Sequence, residues 1–461
     1  VSKIIESLNK QALEAYNKKD LKTAQEKYEE LIKKEPNSSE NYCNLGVVLK
    51  ALKKYQEAYN VYIKALKLNN KNQLVLNNLG NLFKEIKDYK RAIRAFSDAI
   101  RLNPKDFNAY NNLGIVYEAI NDYDKAIVAY KQAVKIKPNY SKAVNNIGVV
   151  LYKQKKYKEA IEIFKIALKI DPEYNELYSN IGACYNKLKQ YEYAIENLNK
   201  AIELNPNNAG AYTNLGNVYN KIHDYKKAAS LHEKSIVLEP NGVNAHSNLG
   251  TSYKNLGYTN KAIQSYKKAI QLDSNFENAH FDLATIYLSK NDFKNGWSEY
   301  EWRFKKEEML SHIVNNKDIF SKPMLKKDDN IEGEILLLHS EQGFGDSIQF
   351  IRFLPLLKDK FKCKIAVKCR DELKELFKTI EEIDILVNRS EDTPIFDYHL
   401  PIMSMPFILN MKSLDDLPKQ MPYLKALDDE SLKIKKDKKK IDIGICWSAS
   451  ITGESYDGKV F

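Results

Sequence analysis

Asn44-Leu45-Gly46, Asn78-Leu79-Gly80, Asn112-Leu113-Gly114, Asn146-Ile147-Gly148, Asn180-Ile181-Gly182, Asn214-Leu215-Gly216 and Asn248-Leu249-Gly250 place one tripeptide at a fixed interval of 34 residues. The same ruler lands on Ala12 upstream and Ala284 downstream, so the period spans nine units with no insertion. A second small residue comes twelve positions later, at Ala24, Ala58, Ala92, Ala126, Ala160, Ala194, Ala228, Ala262 and Gly296. A third stands seven further on, at Ala65, Ala99, Ala133, Ala167, Ala201 and Ala269, with Leu31, Ser235 and Arg303 as departures. Helices cross closely only where side chains are small, so these columns mark helix contacts.

Large residues fill the complementary slots. Tyr28, Tyr62, Phe96, Tyr130, Phe164, Tyr266 and Tyr300 recur sixteen positions after the glycine or its alanine equivalent. Pro36, Pro104, Pro138, Pro172, Pro206 and Pro240 close the units, ending one helix pair before the next begins. Self-similarity at this period predicts an array of stacked supersecondary units, none of which buries its apolar face alone.

The small, aromatic and proline columns together resemble the tetratricopeptide repeat. The resemblance implies nine helix-turn-helix units over residues 1–310, wound into a right-handed α-solenoid whose first helices line the inner wall. The asparagine of each tripeptide, Asn44, Asn78, Asn112, Asn146, Asn180, Asn214 and Asn248, then lies on that wall. Three residues further along the same face stand Val47, Asn81, Ile115, Val149, Ala183, Asn217 and Thr251, which are neutral and partly apolar. A column of carboxamides can hydrogen-bond an extended peptide whatever its sequence, since each offers a donor and an acceptor. It resembles the asparagine ladder of the O-GlcNAc transferases; asparagine is also common there in repeats that hold no peptide. Lys10 and Asp282 replace it at the two ends.

Composition bounds the rest. The 461 residues carry a net charge of +11, and their lysines are read as solvated helix faces spread over every repeat, with no nucleic-acid partner. No apolar run reaches membrane-spanning length, no leader-like stretch opens the sequence, which starts at Val1, and a cytoplasmic protein is expected. The five cysteines, Cys43, Cys184, Cys363, Cys369 and Cys446, lack zinc spacing and suit a reducing compartment, so no metal is expected. His246 and His280 fall one repeat apart at a position held elsewhere by tyrosine, and are read as core packing. The aromatic run from Trp297 through Tyr300 and Trp302 to Phe304 is read as packing the array onto the segment C-terminal to it, with Glu301 and Arg303 in the same packing role.

After a linker at 311–330 the period changes. Ile335 to Ser340 reads as a buried strand, succeeded by the loop Glu341-Gln342-Gly343-Phe344-Gly345-Asp346 and an amphipathic helix from Ser347 to Lys358. Strands at Lys364 to Cys369, Ile383 to Val387 and Tyr398 to Ile402, with a helix near Leu373 to Phe377, complete an α/β pattern over 331–432. A dinucleotide fingerprint needs a third glycine where Ile348 stands, which argues against a nicotinamide-dependent dehydrogenase.

The run Gly345-Asp346-Ser347-Ile348-Gln349-Phe350-Ile351-Arg352-Phe353-Leu354-Pro355 resembles the opening loop and helix of heptosyltransferase-like glycosyltransferases. That resemblance implies a Rossmann-like first lobe of a GT-B fold, a nucleotide sugar (a UDP- or ADP-sugar) as donor, and Asp346 as general base toward an acceptor hydroxyl. Gln342, Gly343 and Gly345 would form the substrate and nucleotide loop. The plain alternative is that Asp346 caps the helix it begins. A basic linker, 433–440, leads to a strand-like start at 441–461, where Trp447 and Ser448 would stand near the lobe interface. The second lobe is expected to be truncated, and the fragment inactive. The expected function is therefore a repeat-bearing glycosyltransferase that acts on an acceptor, such as a protein, presented by the solenoid. The alternative is a non-enzymatic protein-interaction scaffold.

Overall fold

The computed structural model describes residues 2–306, 309, 313, 316–341, 343–418 and 424. The linker 433–440, the segment 441–461 with Trp447 and Ser448, and Gln342 lie outside the described residues. Two compact units divide at Pro240 and Asn241.

Residues 2–240 form seven antiparallel helix pairs, from Ser2–Asn17 with Leu21–Lys34 to Ala209–Lys221 with Tyr225–Leu238. Two further pairs, Val243–Asn255 with Thr259–Leu272 and Glu277–Ser289 with Phe293–Tyr300, belong to the second unit. Within a pair the chain reverses through one left-handed residue, at Lys19, Lys53, Lys87, Asn121, Lys155, Lys189, His223, Gly257 and Asn291, with φ between 59° and 78°. Only one of these is glycine, although a Cβ disfavours this region. Aspartate then caps the second helix: Asp20, Asp88, Asp122, Asp224 and Asp292 each accept a backbone N–H from the first turn. Several of these reversals carry lysines. Lys18, Lys19, Lys53, Lys54, Lys87, Lys155, Lys156 and Lys189 are all exposed there.

Packing explains the repeated tripeptide. Its glycine exists to admit a ring: a Cβ on Gly46 would fall 2.3 Å from Tyr62, and one on Gly114 2.5 Å from Tyr130. The same ring contact joins Gly80 to Phe96, Gly148 to Phe164 and Gly250 to Tyr266, all five aromatic side chains being fully buried. Where the aromatic column lapses, Leu198 fills the space over Gly182 and His232 that over Gly216. The leucine or isoleucine beside each glycine is buried, while the asparagine before it is half-buried.

The second unit continues into a four-stranded, all-parallel sheet in the order β3-β2-β1-β4, formed by Ile335–His339 (β1), Lys364–Cys369 (β2), Ile385–Asn388 (β3) and Tyr398–Pro401 (β4). In β1, Leu336 and Leu338 face a large cluster with Ile365 and Val367, whereas Leu337 meets Ala366, Ile319 and Phe396 on the other face. Coverage on both faces accounts for the unbroken apolar run of β1. Met324 adds an isolated parallel bridge to His399.

Three expectations are corrected here. The helix after β1 begins earlier than Ser347 and is broken into Phe344–Phe350, a 3-10 turn at Ile351–Phe353, and Leu354–Phe361. Pro355 forces the second start, having no N–H to continue the ladder and a fixed φ suited to a first turn. Strand β3 starts two residues late, because Asp384 is spent accepting the backbone N–H of Ile365 and the ammonium of Lys358.

Candidate functional site

The asparagine column occupies one face of the first helices. Residues Asn44, Asn78, Asn112, Asn146, Asn180 and Asn214 lie in the first unit and Asn248 in the second, all half-buried. The side chains are not free of one another's repeats. Asn146 Nδ2 donates to Asn111 Oδ1 at 3.0 Å, Asn180 Nδ2 to Asn145 Oδ1 at 2.9 Å and Asn214 Nδ2 to Ser179 Oγ at 3.2 Å. Asn78 Nδ2 reaches Cys43 Sγ at 3.3 Å in the same way. Each donor thus bridges to the residue 35 positions earlier. An amide carries two N–H donors and a carbonyl oxygen, so one donor and the acceptor face remain at each rung.

Between rungs the face opens into a recess of about 320 Å3 lined by Val149, Tyr152, Lys153, Asn180, Ala183 and Asn214. Val149 and Ala183 come from the neutral column three residues after the asparagine, so apolar floor and polar rungs alternate along one line. Such alternation suits an extended chain, whose backbone meets the amides while its side chains meet the floor.

The histidines serve packing. His280 is buried, its ring stacked on Trp302 at 3.7 Å and its Nδ1 in contact with the Glu299 carboxylate, while His246 is half-buried. Cys43, Cys184, Cys363 and Cys369 are buried free thiols; Cys446 lies outside the described residues. Among the described residues no helix is long and apolar enough to cross a membrane, and no group of three His, Cys, Asp or Glu is placed to hold a metal ion.

On the sheet unit, the loop after β1 is fixed by an ion pair between residues 38 apart. Arg303 donates from Nη2 to Glu341 at 3.0 Å and 3.1 Å and from Nε at 3.2 Å, and it also meets Glu301 and Ser404. Both charged side chains are buried, Glu341 with no exposed area. Burial pushes the Glu341 carboxyl up to about 7, against the downward pull of the Arg303 guanidinium. Arg303 is the one cation in the small-residue column, and that departure was the sequence signal for this contact. Sequence reading placed Arg303 correctly in a packing role but found no partner for it. Trp297 packs edge-on against Phe350 at 5.7 Å and Tyr300 Oη lies 3.7 Å from Met403 Sδ, so the aromatic run does pack against the sheet segment.

Gly343 supplies the N-terminal cap position of Phe344–Phe350, with φ −71°. Gly345 and Asp346 therefore lie inside the first turn, so Asp346 is not the cap. A Cβ on Gly343 would meet nothing nearer than Asp346 Oδ2 at 4.0 Å, so the backbone does not require glycine there. Asp346 is half-buried and makes no hydrogen bond to the described residues, whereas its neighbour Ser347 is tied to Ser340 at 2.8 Å.

Family models described as TPR repeat match residues 80–121, 184–222 and 256–291, and models described as tetratricopeptide repeat match 27–59, 107–140, 141–174 and 211–243. Among solved structures, a tetratricopeptide repeat protein from Parabacteroides merdae is 21% identical with a TM-score of 0.47, covering 54% of this chain and 98% of its own. YrrB, a TPR protein with an unusual peptide-binding site, is 27% identical with a TM-score of 0.31, over 41% of this chain and 97% of its own. TTC0263 of Thermus thermophilus, a thermophilic TPR protein, is 22% identical with a TM-score of 0.37, over 40% of this chain and 99% of its own. No curated protein matches the chain. The ring-over-glycine packing and the family matches agree: the helix pairs of this chain are tetratricopeptide repeats.

Proposed function

We propose that the repeats act as a protein-interaction scaffold, gripping an extended peptide along the asparagine column from Asn78 to Asn214. The observation that carries the reading is the recess with an apolar floor at Val149 and Ala183 between carboxamides that each keep an unspent donor and acceptor. Backbone recognition gives affinity with little sequence preference, and the floor adds side-chain selectivity. Panning a random peptide display library on the protein, then measuring enriched peptides by fluorescence polarisation, tests this. Ala183→Phe should fill the recess and weaken binding tenfold or more while leaving the inter-repeat hydrogen bonds intact. Unchanged affinity in that variant refutes the site.

A second reading is sugar transfer by the sheet unit, with a UDP- or ADP-sugar as donor and Asp346 as base. It is favoured by the parallel order β3-β2-β1-β4 with the glycine loop at the carboxyl end of β1, where ligands of open α/β sheets bind. Asp346 is the unengaged carboxylate of that loop. Donor hydrolysis or transfer lost in Asp346→Asn, with peptide binding unaltered, would support it; equal turnover in the variant would remove Asp346 from the chemistry.

A further inference from the structure

We infer that the carboxyl edge of the sheet holds a small oxyanion of the phosphate class, bound by Arg370, Arg389 and Lys368. The three cations come from the ends of two adjacent strands, Lys368 as the last residue but one of β2, Arg370 directly after that strand and Arg389 directly after β3, and they line one recess with His339 of β1 and Ser340 directly after it. Convergence of like charges at one rim raises their mutual repulsion, a cost that an anion relieves.

The carboxylates nearby leave the two guanidinium groups without an ion pair among the described residues, whereas Asp318 acts on Lys368. Glu341 also lines the recess, but its side chain is fully buried and its charge is taken up by Arg303. Asp318 is held by the hydroxyl of Thr393, which also accepts from Lys368 Nζ at 2.7 Å. The guanidinium of Arg370 lies 4.9 Å from the centre of the Phe344 ring and forms no hydrogen bond or ion pair among the described residues. Arg389 is exposed and likewise has no such partner among them. Two forked donor groups, one held against an aromatic face, match the geometry of a tetrahedral oxyanion better than that of a point charge. The ligand is accordingly a phosphate or phosphate ester reaching the rim from solvent, and the inference does not depend on what the repeats bind or on sugar chemistry.

The test is titration of the whole protein with inorganic phosphate at constant ionic strength, read by isothermal calorimetry and by the shift in melting temperature. Binding that weakens about tenfold in Arg389→Ala and again in Arg370→Ala, as expected for losing a charge-assisted contact, would support the site. Arg389 is exposed, so its variant keeps the fold. Lys53→Ala, at an exposed lysine of a repeat reversal, is the control and should bind as the parent does. No saturable phosphate binding, equal binding in Arg389→Ala and Arg370→Ala, or equal loss in Lys53→Ala would each overturn the proposal, the last showing general attraction to a basic surface.

Discussion

Residues 2–240 and the sheet segment that starts at Ile335 bury their cores by opposite means. In the repeats one contact is used again and again: a glycine on the first helix, a ring sixteen residues later, an alanine column between, and an amide bridge to the preceding pair. Every partner is within about one period, so the loss of one contact damages one neighbourhood. In the sheet segment no contact occurs twice. Arg303 finds Glu341 38 residues on and Ser404 101 residues on, and β1 pairs with β4 across 62 positions. The first design spreads stability in small shares; the second concentrates it in a few buried groups.

Substitutions sharpen that contrast. The largest effect is expected for Arg303→Met, which strands the Glu341 carboxylate in a site with no exposed area and should cost about 3–5 kcal/mol. Denaturant unfolding read by Trp fluorescence should show the loss, since Trp297, Trp302 and Trp447 all come after Pro240 in the chain. A change below about 1 kcal/mol, the range of exposed pairs, would mean the ion pair is not the concentrated contact described here.

Next comes His232, which takes the place of an aromatic ring over Gly216 and is buried with no partner at Nδ1. Burial holds its imidazole down to about 4, against an ordinary 6.5. The folded state therefore prefers the neutral ring. The stability this contributes is complete above pH 6.5 and is lost as the pH falls toward 4, by up to about 3 kcal/mol. His232→Phe should abolish that acid sensitivity and raise the melting temperature at pH 7. Urea midpoints measured between pH 7 and pH 4 decide it, and identical slopes in both proteins would rule the histidine out.

Gly114→Ala drives a methyl to 2.5 Å from the Tyr130 ring and should cost about 1–3 kcal/mol through displaced packing. Hydrogen exchange should place the damage in that pair and its neighbours; loss spread evenly over residues 2–240 would contradict the local character of the repeats. The smallest effect is expected for Asn146→Ala. It removes one inter-repeat hydrogen bond to Asn111 at 3.0 Å, a loss of about 1 kcal/mol in the same assay.

The same contrast governs what could be read from the chain alone. Asn-Leu-Gly and the aromatic column were legible because a side chain is packed over a glycine seven times, five of them with an aromatic ring, and a period is visible without knowing the contact. Leu336 to Leu338 were legible as a strand because burial on both faces leaves no polar alternation. The start of the helix at Phe344 was not, since no Ser, Thr, Asp or Asn marks it and Gly343 takes the cap position with backbone alone. Nor was the partner of Arg303: its place in an alanine column announced something unusual, but only folded geometry brings Glu341 to it. The engagement of the asparagine amides was hidden for a related reason. Their acceptors, Asn111, Asn145 and Ser179, are different residues of which two are asparagine, so the column of acceptors is blurred where the column of donors is sharp.

The amide bridges that tie four of the helix pairs to the pair before have a bearing on ancestry. A cassette of constant length that offers its predecessor a donor and its successor an acceptor is compatible with copies of itself on either side. Duplication or deletion of whole cassettes by unequal recombination would leave the joints intact, so the length of the grip can change between generations without a single new contact having to be invented.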